Sequence, residues 1–205
     1  MGRRLIAELL ARGHAVRALA RRGSQGKLPA GCGAVIGDPL RKETYAREVA
    51  PADTFVQFVG VPHPNPRKAN EFREIDYASA RGAIEAARAA GVQHFVYLSV
   101  AQPAPVMKAY VAVRAECEEL LRQSGMNATF VRPWYVLGPG RRWPYLLLPM
   151  YWLFELLPPT RERARRLGLV TIEQMTRTLV SAVENPAQGV RILGVPEIRK
   201  APLLL

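Results

Sequence analysis

The sequence contains few residues that could cross-link the chain or bind a metal ion. Its two cysteines, Cys32 and Cys117, lie far apart and lack the spacing of metal ligands. They fit a reducing cytoplasm better than a disulfide framework. The three histidines, His14, His63 and His94, are equally scattered, so the sequence predicts no metal site. The first residues also lack a continuous apolar run before a small-residue cleavage site, so no secretory signal is expected.

Acidic residues are also scarce, with 17 Asp and Glu against 29 Lys and Arg and a formal net charge of +12. Such a charge is typical of many nucleic-acid-binding proteins. The excess is almost entirely arginine, however, and it is scattered over many predicted helices without basic runs interleaved with aromatic residues. We therefore expect no nucleic-acid partner. Hydrophobic residues make up 49% of the chain, which suffices for one domain with a sizeable core.

The most apolar stretch, "WPYLLLPMYWLFELLPP" at residues 143–159, is too short to span a bilayer and is interrupted by Pro144, Pro149 and Glu155. Three interpretations stay open: the core of a small lobe, a dimer face, or a surface that rests on a membrane. Arginines flank the stretch on both sides and would suit an anionic membrane surface. They are Arg141, Arg142, Arg161, Arg163, Arg165 and Arg166.

Strand-like and helix-like segments alternate along the chain. The pattern predicts helices at Gly2–Arg12, Lys42–Ala50, Asn70–Ala90, 106–125 and Ile172–Glu184, and strands at His14–Ala20, Ala34–Asp38, Asp53–Gly60, 92–100, 127–133 and Val190–Leu193. Helices between consecutive strands predict an α/β fold with a doubly wound parallel sheet and helices on both faces. The first helix begins at the start of the chain, although such a helix normally follows a strand of its own.

Six segments occur in the order typical of one family: "GRRLIAELLARGHAVRALARR", "GDPL", "FVQFVG", "GVQHFVYLSV", "AYVAVRAECEELLRQSG" and "FVRPWYVLGPG". With them the chain resembles the extended and atypical short-chain dehydrogenase/reductases, which include NAD(P)-binding epimerases, dehydratases and nitrogen-metabolite-repressor-like proteins. The resemblance covers nearly the whole chain. It implies a three-layer Rossmann-like core at 1–140 and a small substrate lobe with C-terminal elements at 141–205, packed as one compact domain. The apolar stretch would then belong to the substrate lobe and suit a lipid or quinone-like ligand.

Members of this family begin with a strand and a TGxxGxxG loop that cradles the cofactor pyrophosphate. Gly2 stands where the last glycine of that loop would be, and the strand and two earlier glycines are absent from the sequence. Two explanations compete. A wrongly assigned start codon, which we favour, would mean that the natural protein is longer. A real truncation would leave a gap in the sheet and weaken cofactor binding.

The predicted cofactor site begins after the second strand of the family fold. Arg21 and Arg22, with Ser24 close behind, stand where an acidic residue would bind the ribose of NADH. Because arginines suit a 2′-phosphate, we expect NADP(H) to be preferred over NAD(H), although two solvated arginines are the simpler alternative. The resemblance also implies that Asp38 contacts the adenine edge and that Gly60 and Val61 line the adenosine. A plain turn is the alternative for Asp38.

The predicted catalytic residues are Ser99, Tyr110 and Arg114. In the family, a strand-end serine and a Tyr-x-x-x-Lys pair on the next helix carry out the proton chemistry. "YVAVR" places Tyr110 and Arg114 four residues apart on one helix face, so Tyr110 would be the acid or base and Ser99 would orient the substrate. Arg114 replaces the lysine; it keeps a charge that could lower the pKa of Tyr110, but in a planar fork. An ordinary interface tyrosine is the alternative interpretation.

The segment "RPWYVLGPG" resembles the family segment that passes under the nicotinamide. Pro133 would shape the turn, Trp134 and Tyr135 would close over the ring or a substrate, and Gly138 and Gly140 would let the loop bend. Relatives often pair through the helix that carries the tyrosine, so the resemblance also allows a homodimer.

Two hypotheses follow. The first is an NADP(H)-dependent oxidoreductase or epimerase-like enzyme with a small-molecule substrate, favoured by Ser99 and Tyr110. The second is a non-catalytic NADPH-binding sensor or assembly module of the same fold. Arg114 and the missing glycine loop favour the second hypothesis.

Overall fold

The computed structural model describes residues 1–138 and 166–202. Gly140 and the apolar stretch at 143–159 lie outside the described residues. The three interpretations of that stretch, including peripheral membrane contact, therefore stay sequence-based predictions. Within the described ranges, no helix is both long and apolar enough to cross a membrane.

The described residues form eight strands, all paired in parallel. They are β1 (Arg17–Ala20), β2 (Gly33–Ile36), β3 (Thr54–Gln57), β4 (His94–Leu98), β5 (Asn127–Val131), β6 (Tyr135–Leu137), β7 (Leu169–Thr171) and β8 (Val190–Leu193). The main sheet has the order β3–β4–β5–β8, while β1–β2 and β6–β7 form two separate pairs. Strands β4 and β5 are each buried at four of their five residues, as expected for inner strands covered on both faces.

The β1–β2 pair lies next to the main sheet at the amino end of β3. The guanidinium of Arg17, at the amino end of β1, donates to the carbonyl oxygens of Val49, Ala50 and Pro51 at 2.9, 3.0 and 2.8 Å. These carbonyls lie just ahead of β3, so the amino ends of β1 and β3 are neighbours. Among the described residues, no strand pairs with the facing edges of β1 and β3. The sheet therefore has a gap between these two strands.

The helices cover the main sheet on both faces. They are α1 (Gly2–Ala11), α2 (Ala69–Glu71), α3 (Ala78–Ala89), α4 (Lys108–Gln123), α5 (Ile172–Glu184) and α6 (Val195–Arg199), and a π-helical turn at Phe72–Tyr77 joins α2 to α3. Helices α3 and α4 bury the face that carries Phe95 and Tyr97, whereas α1, α5 and α6 bury the opposite face, which carries Val96. Successive β4 side chains alternate between the two faces, as the pleat requires.

The predicted Rossmann-like α/β fold is confirmed. The predicted bounds of Ile172–Glu184 and Val190–Leu193 agree with those of α5 and β8. Helix α5 starts sharply because Thr171 Oγ1 accepts from the Gln174 amide and Gln174 Oε1 accepts from the Thr171 amide, a reciprocal cap.

Three local predictions differ from the structure. The predicted helix at Lys42–Ala50 forms two short 3₁₀ turns, and the predicted helix at Asn70–Ala90 is interrupted by the π-helical turn. Strand β1 starts at Arg17 rather than at His14, because its partner β2 begins opposite Arg17. The β6–β7 pair and helix α6 were not predicted at all.

Candidate functional site

The carboxyl ends of the parallel strands collect most of the predicted site residues along one edge of the fold. Arg21 and Arg22 follow β1, Asp38 follows β2, Gly60 and Val61 follow β3, Ser99 follows β4, and Pro133 and Trp134 follow β5. Gly2 starts α1 at the same edge, where an added Cβ would lie 3.8 Å from Phe58, just after β3. Open α/β sheets bind their ligands in the crevice outside this edge.

A buried ion pair between Arg114 and Asp76 lies beneath this edge. Arg114 Nη2 is 2.5 Å from Asp76 Oδ1, and the two side chains are only 5% and 0% exposed. Asp76 Oδ2 also accepts from the amide of Val61 at 2.9 Å. Arg114 Nη1 donates to the carbonyl of Leu98 at 2.7 Å and to the hydroxyl of Tyr97 at 3.3 Å. The pair therefore ties α4 to the π-helical turn and to the ends of β3 and β4.

Gly60 makes room for this ion pair. A Cβ at this position would collide with Nη2 of Arg114 and would lie 3.0 Å from Oδ1 of Asp76. The guanidinium cannot easily move aside, because Asp76 and the Leu98 carbonyl hold it. Gly60 is therefore required here by close approach, whatever its role toward a cofactor.

Helix α4 presents Tyr110 and Arg114 on one face, as their spacing predicted. The Arg114 guanidinium carbon lies 5.2 Å from the centre of the Tyr110 ring and 5.6 Å from that of Tyr97. The Tyr110 ring also packs against Phe72, with ring centres 5.1 Å apart. Arg114 thus lies between two tyrosine rings, where its charge is favoured by both.

Burial dominates the pKa of Tyr110 and of Asp76. Desolvation raises the pKa of Tyr110 above its ordinary value, and the nearby charge of Arg114 opposes the shift without overcoming it. The net direction is opposite to the lowered pKa that the spacing suggested. Desolvation likewise raises the pKa of Asp76, against the effects of Arg114 and the Val61 amide.

Ser99 has a buried hydroxyl with no partner. The residue is 3% exposed, and its Oγ has no hydrogen bond to any described residue. The backbone around it is fixed, since the Ser99 amide donates to the Val131 carbonyl at 2.8 Å and the preceding Leu98 carbonyl accepts from Arg114. A buried hydroxyl without a partner is costly.

Of the predicted adenosine-side residues, Gly60 and Val61 contact this ion pair, whereas the others lie on the turns that follow β1 and β2. Arg21 and Arg22 are exposed on the turn that follows β1, and Ser24 is half-buried. Asp38 is exposed, and its Oδ1 accepts from the amide of Leu40 at 3.0 Å. This hydrogen bond closes a local turn at Asp38, and its contact with the adenine edge stays a prediction.

The segment after β5 is held to β4 and to the apolar core. The buried Pro133 accepts at its carbonyl from the Ala101 amide at 2.9 Å. Trp134 is half-buried, packs against the apolar cluster of α1 and α5, and meets Tyr135 edge-on with ring centres 5.7 Å apart.

Sequence reasoning missed Asp76 and Glu118. A signal was present for both, because each is an acidic residue on a helical stripe of buried residues. Asp76 lies one helical turn after Phe72 and one turn before Ala80. Glu118 lies one turn after Arg114 and one turn before Leu121. A charge on such a stripe indicates a buried partner. Among the described residues, no group of His, Cys, Asp and Glu could hold a metal ion.

Comparisons with known proteins point to dinucleotide binding. A protein-family model described as NAD(P)H-binding matches residues 1–142. A ceramide reductase of Caulobacter vibrioides is 27% identical over 155 residues, which are 76% of this chain and 48% of that protein. The chain thus spans about half the length of this curated relative.

Solved structures share the fold. The Bordetella bronchiseptica enzyme WbmH, solved in complex with NAD+, superposes with a TM-score of 0.68 at 17% identity, covering 97% of this chain and 75% of that one. The Thermus thermophilus UDP-glucose 4-epimerase, solved with NAD, gives 0.68 at 16% identity, covering 97% and 78%.

Proposed function

Because the chain belongs to the NAD(P)H-binding family, we propose that it is an NADPH-dependent oxidoreductase or epimerase-like enzyme that acts on a small apolar substrate. The observation that carries the catalytic part is Ser99, whose buried hydroxyl has no partner among the described residues and follows the central strand directly. The lipid name of the Caulobacter relative and the apolar stretch at 143–159 both favour a lipid-like substrate.

A bound dinucleotide would contact several of the described residues. The exposed Arg21 and Arg22 would hold the 2′-phosphate, and the amino end of α1 at Gly2 would face the pyrophosphate. Gly60 and Val61 would line the adenosine, and Pro133 with Trp134 would limit the space beside the ring. Bound nicotinamide supplies or accepts a hydride.

Ser99 and Tyr110 would handle the substrate oxygen. The hydroxyl of Ser99 would donate to it and fix its position, while Tyr110 would transfer a proton to it or from it. Arg114 would act on Tyr110 without touching the substrate, because its positive charge lowers the pKa of the phenol and so limits the increase that burial causes. Its two Nη groups are held by Asp76 and by the Leu98 carbonyl.

Tyr110→Phe is expected to reduce turnover about a hundredfold or more, which is the usual effect of losing a general acid or base. NADPH affinity should stay within about twofold of the wild-type value, since the change removes one hydroxyl. NADPH oxidation with a panel of long-chain keto lipids measures turnover, and fluorescence titration measures binding. Tyr77→Phe, on the π-helical turn, is the matched control. Equal turnover in both variants would exclude Tyr110 as the acid or base.

Arg21→Ala combined with Arg22→Ala is expected to weaken NADPH binding about tenfold and to leave NADH binding nearly unchanged, because only NADPH carries the 2′-phosphate. Calorimetry with both cofactors measures the difference. Arg47→Ala combined with Arg88→Ala removes the same charge from exposed positions elsewhere. If this control weakens NADPH binding equally, the preference comes from overall charge rather than from a phosphate site.

A second candidate function is a non-catalytic NADPH-binding sensor or assembly module. The ion pair of Arg114 with Asp76 favours this candidate. The Arg114 side chain is only 5% exposed, so it cannot reach a nicotinamide ribose. This candidate predicts NADPH binding without turnover and no effect of Tyr110→Phe in any assay.

A further inference from the structure

A cavity of about 400 Å³ lies at the carboxyl ends of β5 and β8, beside the segment that follows β4. Its polar lining comes from Gln102, Arg132, Arg166 and Glu197, and its apolar lining includes Ile192 and Val195. This volume is large for a bare inorganic anion and lies within the range of small-molecule sites.

Buried Glu118 fixes one wall of the cavity. Glu118 is 0% exposed, and its Oε1 accepts from Arg132 Nε at 2.8 Å and from Gln102 Nε2 at 2.9 Å. Arg132 Nη2 also donates to Oε2 of Glu118, and Arg122 lies 3.5 Å from the same oxygen. Arg132 is therefore held in place by a carboxylate that it shares with a second arginine, which leaves this wall positively charged.

Arg166 provides a donor that lacks an acceptor. Its Nε is buried and has no hydrogen-bond partner among the described residues. Burying part of a guanidinium without an acceptor is unfavourable, and an anionic group beside Arg166 would offset part of the cost of burying its charge. Among the described lining residues, Glu197 supplies the one carboxylate, and its Oε2 accepts from the Gly194 amide at 2.9 Å. The cavity thus combines two guanidinium groups with apolar surface.

We propose that this cavity binds an organic phosphate or carboxylate, with Arg166 as the principal contact to the anionic oxygens and Arg132 as the second. The apolar part of the ligand lies against Ile192 and Val195. The site does not depend on the proposed reaction, because it requires only the charge and shape of the cavity.

The test uses phenyl phosphate as the anionic probe and benzyl alcohol as a neutral probe of similar shape. Arg166→Gln is expected to weaken phenyl phosphate binding about tenfold or more in calorimetry and to leave benzyl alcohol binding unchanged. Arg166→Lys keeps the charge but loses the planar fork of donors, so an intermediate affinity is expected. Arg88→Gln removes an exposed arginine far from the cavity and should bind like the wild type.

Three results would overturn the proposal: no phenyl phosphate binding by the wild-type chain, equal binding by Arg166→Gln, or an equal loss for both probes. Repeating the phenyl phosphate titration at saturating NADPH shows whether the probe and the cofactor phosphates occupy the same site. Unchanged phenyl phosphate affinity supports a site separate from the cofactor. Competition would show that the probe occupies a cofactor phosphate site, which contradicts the assignment to this cavity. All of these readouts are independent of turnover, so failure of the proposed enzyme would not affect them.

Discussion

Asp76→Asn is expected to lower the free energy of unfolding by about 3–5 kcal/mol. The substitution keeps the shape of the side chain and an acceptor for the Val61 amide, but it removes the negative charge that faces Arg114. A buried guanidinium cannot lose its proton, so its charge would be left without compensation. Urea unfolding followed by circular dichroism measures the change.

Two further variants show whether the unpaired charge is the cause. Adding Arg114→Met to Asp76→Asn removes both charges, and this double variant should be more stable than Asp76→Asn alone. Gly60→Ala should destabilise the protein as well, because its Cβ displaces the Arg114 guanidinium. Gly2→Ala is the matched control, since its Cβ meets Phe58 at an ordinary contact distance of 3.8 Å. Wild-type stability of Asp76→Asn would show that the ion pair does not stabilise the fold.

Mild acid is expected to destabilise the protein through His94. This residue is 1% exposed, and its ring nitrogens lie 3.5 Å from Thr54 Oγ1 and 3.0 Å from Thr129 Oγ1. Burial, together with the charge of Arg191, lowers the pKa of His94 to about 4. Because the unfolded chain binds the proton at a pKa of about 6.5, stability is full above pH ~6.5. It falls between pH ~6.5 and ~4, by roughly 3 kcal/mol in total.

Unfolding free energies measured from pH 8 to pH 4 test this dependence. His94→Gln removes the titrating group, so its stability should change less over this range than that of the wild type, whatever its absolute value. His63→Gln replaces an exposed histidine, so its unfolding free energy should fall with acid as much as that of the wild type. An equally steep loss in His94→Gln would assign the acid sensitivity to other groups.

The sequence pattern predicted much of the fold, because alternation and helical stripes are local signals. The apolar stripe of α1 and the capping residues of α5 are readable without tertiary information. The 3₁₀ turns at Lys42–Thr44 and Ala46–Glu48 were mistaken for a helix. That short segment is anchored by the buried Tyr45, and this tertiary contact overrides its helical propensity.

The candidate site could be predicted only in part, because local spacing is visible in the sequence and tertiary contacts are not. The spacing of Tyr110 and Arg114 places them on one face of α4 without further information. The partner of Arg114 could not be found in this way, since Asp76 reaches it only when the π-helical turn packs beside α4. The unpartnered hydroxyl of Ser99 likewise depends on how the ends of β4 and β5 meet.

The gap in the sheet divides the ligand-binding edge between the β1–β2 pair and the main sheet. No backbone ladder among the described residues joins β1 to β3, so contacts such as those of Arg17 with the carbonyls ahead of β3 couple the two sides. A dinucleotide that contacts Arg21 on one side and Gly60 on the other would span this division. The bound dinucleotide would then connect the two sides, and its binding would raise the free energy of unfolding of the protein.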